Sequence, residues 1–131
     1  MKTLCIVACG KRKIWDKNPN AGPTKAEYVY IGSFAKKCIA YAKRFHPLSW
    51  CILSAKYGFL FHDDIVLGPY SVSFNDKQTN PITLNELSSQ IIEKRLDKFE
   101  KIVVLGVKNY VNIIKKVFSK KDIHALLNDC K

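Results

Sequence analysis

The chain has 131 residues, which favours a single domain over residues 1–131 and lets about two-thirds of the unfolded surface be buried without staples. Hydrophobic residues make up 47% and charged residues 25%, and no apolar run approaches the roughly 18 residues of a membrane helix, so a membrane partner is excluded. The net charge is +11, and residues 1–62 carry eleven Lys or Arg against only Asp16 and Glu27, a surplus that favours nucleic acid, nucleotides or other phosphates.

The first element is an apolar run, Leu4–Ala8, which ends at Lys11, Arg12 and Lys13 and reads as a strand rather than a leader. The segment Ile14–Ile31 has no regular pattern. Ser33 then caps a helix through about Phe45, with Phe34, Cys38, Ile39, Ala42 and Phe45 on one stripe and Pro47 beyond its end. Trp50–Leu53 is a second strand, and Phe61–Pro81 a second long irregular stretch. Thr83 and Glu86 have the spacing of a capping box, followed by Leu84, Leu87, Ile91 and Leu96 at helical spacing. Ile102–Leu105 is a third strand. Tyr110, Val111, Ile114, Val117 and Phe118 mark another helix, and Ser119–Asp122 caps a last short one through Leu127.

Each strand run is apolar throughout, as in parallel strands covered on both faces. The expected fold is a three-layer α/β domain with a mainly parallel central sheet and helices on both faces. Parallel strands share one carboxyl edge, where open α/β sheets bind ligands. The turns Cys9–Lys13, Ser54–Gly58 and Gly106–Tyr110 are therefore expected to converge on one crevice.

The five cysteines are odd in number and form no CxxC pair, which favours a reducing, cytoplasmic setting over a disulfide framework. His46, His62 and His124 match no zinc spacing, so no metal is expected. No cofactor is indicated either, since GxGxxG and the Walker pattern are both absent.

Cys9-Gly10-Lys11-Arg12-Lys13 places a glycine after a strand and then three cations, a pattern that suits an anion site as well as a solvated turn. Cys9 reads as a small packing residue more readily than as a nucleophile, because no histidine lies near it in sequence. In Ser54-Ala55-Lys56-Tyr57-Gly58, a cation beside an aromatic suits a phosphate attached to a ring. Pro69-Tyr70 presents a further aromatic on a rigid turn. Asp64 and Glu27 are the acids available for proton transfer near this edge, although balancing local positive charge is the plainer role for each. Lys115, Lys116, Lys120 and Lys121 form a separate cluster suited to a nucleic-acid backbone, or simply to solvent.

Taken together, Cys9-Gly10-Lys11 with Lys13, Tyr30, Gly32 and Phe34, Trp50 with Ile52–Gly58 and Leu60, and Pro69-Tyr70 resemble a small family of unknown function found in bacteria and phages. Leu105-Gly106 with Tyr110 fits the same pattern, whereas Phe59 stands where leucine is more usual. That family in turn resembles the YaaA-like peroxide-stress proteins and a domain of archaeal tRNA-guanine transglycosylases. The resemblance implies a nucleic-acid-associated α/β fold and assigns no reaction. Two readings follow. One is a nucleotide- or nucleobase-handling protein with a phosphate pocket, acting as an N-glycosidase or base-modification enzyme. The other is a non-catalytic basic DNA- or RNA-binding protein.

Overall fold

The computed structural model describes residues 2–126. In chain order the elements are β1 (Thr3–Ala8), α1 (Ile14–Lys17), β2 (Thr24–Lys25), α2 (Ala26–Val29) and α3 (Ser33–Phe45). There follow β3 (Trp50–Ser54), β4 (Gly58–Leu60), β5 (Ile65–Val66), α4 (Leu84–Glu93), β6 (Lys101–Leu105), α5 (Lys108–Val117) and β7 (Asp122–Ala125). The main sheet has the order β4-β3-β1-β6-β7, with every pairing parallel except β3 with β4.

The continuous apolar strands are buried on both faces. Cys5 and Val7 of β1 pack with Ala35, Cys38, Ile39 and Ala42 of α3 on one side. Leu4 and Ile6 pack with Leu87 and Ile91 of α4 and Val111 and Ile114 of α5 on the other. The alternation follows from side chains that point to opposite faces at successive strand positions. The expected mainly parallel sheet flanked by helices is therefore observed. Ser33 opens α3 as its first residue, with Gly32 at the cap position. At α4 the capping box is complete, since Thr83 Oγ1 accepts from Glu86 N and Glu86 Oε1 accepts from Thr83 N.

One element differs from expectation and another was not foreseen. Residues 122–125 form the edge strand β7 rather than a last helix, because the backbone beside β6 offers a ladder from Lys101 to Val104. Leu127, the expected end of that helix, lies outside the described residues. After β3, at Gly58 with φ of +76°, the chain reverses into the short antiparallel strand β4, which the sequence reading did not include. A Cβ at Gly58 would stand 2.2 Å from Gln90 Oε1, the acceptor for Phe59 N, so this reversal needs glycine. The two long irregular stretches are partly ordered against each other. β2, from the first, pairs antiparallel with β5, from the second.

Candidate functional site

α3 carries the chain from β1 to β3 on one flank, whereas β6 and α5 continue the sheet on the other flank. The connections leaving the carboxyl ends of β1 and β6 therefore diverge, which opens a crevice at the sheet's switch point. Gly106 keeps the two strand ends close, since a Cβ there would lie 2.5 Å from Ala8 Cβ. A cavity of about 470 Å³ occupies this crevice. Cys9, Gly10, Lys11 and Lys13 form one wall, Tyr110 of the first turn of α5 another, and the segment from Pro69 to Thr79 a third.

Tyr70 is the organising side chain. Its hydroxyl is 2.8 Å from Ser54 Oγ and 2.5 Å from the Tyr30 hydroxyl, which ties the long loop to β3 and to the segment after α2. Ser54 is fully buried, and its Oγ also accepts from the backbone N–H groups of Lys56 and Tyr57. Burial pushes the Tyr70 phenol up to about 12, so it stays protonated at neutral pH. On the far wall Tyr110 OH lies 3.1 Å from Cys9 Sγ, and its ring meets Phe74 edge-on.

Lys13 lies inside rather than at the mouth. The residue is 7% exposed, and its Nζ donates to Lys11 O at 3.0 Å while standing 4.4 Å from the centre of the Tyr70 ring. Burial draws its pKa below the ordinary lysine value; Cys9 and Asp16 act against that shift and Lys11 reinforces it. Burial likewise raises the Cys9 thiol above its ordinary value, outweighing the Tyr110 hydrogen bond and the Lys13 charge. A thiol held protonated in this way is a weak nucleophile.

Of the residues singled out from the sequence, Cys9, Gly10, Lys11, Lys13 and Tyr70 line the cavity. Ser54, Tyr57 and Lys56 stand behind it: Ser54 anchors Tyr70, Tyr57 packs edge-on against the Tyr70 ring, and Lys56 Nζ is 5.2 Å from the Tyr57 ring centre. The expectation that Glu27 and Asp64 serve this edge needs correction. Glu27 is occupied on the α3 flank, where Oε1 accepts from Lys43 and Oε2 meets His62 Nδ1, each at 3.0 Å. Asp64 Oδ2 accepts from Phe61 N at 2.8 Å and faces Lys94 at 4.0 Å. Neither acid lines the cavity.

The lysine cluster is remote from the crevice as well. Lys115 and Lys116 lie in the last turn of α5, about 8–9 Å along the axis from Tyr110 at helical rise. Lys121 Nζ donates to Asp97 O, and Lys120 is exposed.

Sequence reasoning passed over Asp16 and Asp76, the two carboxylates that do line the cavity. Asp16 Oδ2 accepts from Lys13 N and Asp76 Oδ1 from Gln78 N, so each shapes its own turn. The signal for both was local, an acid three residues after Lys13 and another two before Gln78, at turn-forming spacings.

Residues 4–128, which include every residue lining the crevice, match a family of unknown function, DUF6884. The chain belongs to this family. Over 120 residues this DUF6884 member is 45% identical to the uncharacterized protein YfjM of Bacillus subtilis (strain 168), covering 92% of this chain and 79% of that one. No solved structure matches it. Among the described residues, no helix is long and apolar enough to cross a membrane.

Proposed function

We infer that the crevice of this DUF6884 protein binds a nucleotide and handles it at the base or sugar, in the manner of an N-glycosidase or base-modification enzyme. The observation that carries this reading is the meeting of two lysines with aromatic side chains at the switch point of the sheet. Lys11 and Lys13 supply positive charge, while Tyr70, Tyr110 and Trp15 supply ring surface in one cavity of nucleotide size. The first turn of α5 also faces the cavity through Tyr110, which adds the positive end of a helix. The resemblance of the Cys9–Lys13 and Ile52–Gly58 segments to a family of unknown function that in turn resembles nucleic-acid-associated proteins supports the same ligand class.

A thermal-shift screen across mononucleotides, nucleosides and short oligonucleotides tests this reading. Selected mononucleotides are expected to raise Tm, and Lys11→Ala to abolish the rise. If no nucleotide shifts Tm, or if Lys11→Ala leaves the shift intact, the reading falls.

A second reading, non-catalytic binding to a DNA or RNA backbone, is favoured by the exposed Lys115, Lys116 and Lys120 away from the crevice. Binding of that kind weakens linearly in log–log salt plots, and replacing Lys115 and Lys116 lowers the slope by about one for each phosphate no longer neutralised.

A further inference from the structure

Lys13 has an unusual position for a lysine. It is more than nine-tenths buried, lines the cavity, and has no carboxylate within 4.0 Å of its Nζ among the described residues. Its Nζ has three donor positions, and one is used on Lys11 O. The Tyr70 ring and the Cys9 thiol beside it keep their protons at neutral pH, and Asp16, whose Oδ2 accepts from the Lys13 backbone N–H, is a carboxylate that acts on it without an ion pair to Nζ. The exposed Lys11 at the mouth is better placed to meet a phosphate, which leaves the inner amine to face the sugar.

We propose that Lys13 is a nucleophilic amine that forms an imine with the C1 aldehyde of a ring-opened, 5-phosphorylated pentose. Burial lowers the pKa of this amine, which enlarges the neutral fraction able to attack a carbonyl. The Nζ lone pair adds to C1 and one N–H proton passes to the former carbonyl oxygen, giving a carbinolamine. A proton from solvent goes to the departing oxygen, the C–O bond breaks and water leaves. The sum is amine, aldehyde and one proton in, iminium and water out, with no oxidant or reductant. The proposal rests on the reading of the crevice as a nucleotide site and specifies the part of the nucleotide that reacts.

The test incubates the intact protein with ribose 5-phosphate and sodium cyanoborohydride, and in a parallel arm with a short oligonucleotide carrying one baseless deoxyribose. Peptide mapping by mass spectrometry then locates the reduced adduct. Lys13 is expected to be labelled at least about tenfold faster than the exposed Lys120, as desolvation of an amine favours its free base. Inorganic phosphate should slow the reaction, and Lys13→Arg should lose the adduct while keeping its Tm. Preference for one arm tells a free sugar phosphate from a strand-borne sugar. Labelling of Lys13 no faster than Lys120 in both arms overturns the proposal, even if nucleotides still raise Tm. Fast labelling of Lys13 without any nucleotide-induced shift keeps the amine and overturns the nucleotide reading alone.

Discussion

The Ser54 hydroxyl, fully buried at the end of β3, lies 2.8 Å from the hydroxyl of Tyr70, sixteen residues further on. This contact fixes one wall of the crevice to the sheet. Ser54→Ala removes it together with two backbone donations, and should destabilise the protein by about 1–3 kcal/mol, the range for leaving buried partners unsatisfied. Tyr70→Phe strands the same hydroxyl from the other side. Urea denaturation of both single variants and the double variant should give clearly non-additive losses. Additive losses would mean the two side chains do not act as a unit.

The close approach of Ala8 and Gly106 makes a second prediction. Gly106→Ala places a methyl 2.5 Å from Ala8 Cβ, a clash expected to cost about 1–3 kcal/mol. Adding Ala8→Gly to that variant should recover part of the loss, since the obstructing atom is gone. If the double variant is less stable than the sum of the singles predicts, the strand ends do not approach each other this closely.

Cys9 should be slow to react. Its raised pKa keeps the thiolate scarce at neutral pH, so alkylation by iodoacetamide at pH 7 should lag well behind that of free cysteine and accelerate as the solution is made alkaline. Mass spectrometry of the Cys9 peptide follows the rate. A thiol as fast as free cysteine at pH 7 would overturn this electrostatic picture and reopen the case for a nucleophile.

The Glu27 bridge makes stability depend on acid. Partial desolvation of its carboxyl pushes upward, but Lys43 and His62 outweigh it and hold the pKa below the ordinary 4.5. The unfolded state therefore takes up the proton first. Stability from this group is present above 4.5 and is lost as pH falls through the folded value. The urea midpoint of the protein should fall on acidification below that point, and Glu27→Gln should fall less steeply. Equal slopes would show that the bridge contributes nothing to folding.

The scaffold was more legible in the sequence than the site. Leu4–Ala8, Trp50–Leu53 and Ile102–Leu105 announce themselves because strands covered on both faces leave no polar position. Thr83 and Glu86 announce a helix start because a capping box is a purely local device. The strand Asp122–Ala125 was hidden because only Ile123 and its neighbour β6 decide its state, and a four-residue edge strand has no period to read. Cys9, Gly10, Lys11 and Lys13 could be found from their place after a strand. Glu27 could not be excluded in the same way, since its partners Lys43 and His62 arrive from sixteen and thirty-five residues away. The burial of Lys13 was invisible for the same reason: the Tyr70 ring beside it belongs to a distant loop.

The pairing of Thr24–Lys25 with Ile65–Val66 binds the two long loops to each other, beside the tie that Tyr70 makes to β3 through Ser54. The segments that carry Trp15 and Tyr70 into the crevice are therefore coupled in the folded chain. Grafting either of them alone from a relative would break a two-stranded ladder, whereas exchanging both keeps that ladder as long as the incoming pair still offers Ser54 a partner. A chimera that exchanges the two segments together is the natural way to ask what they contribute to the crevice.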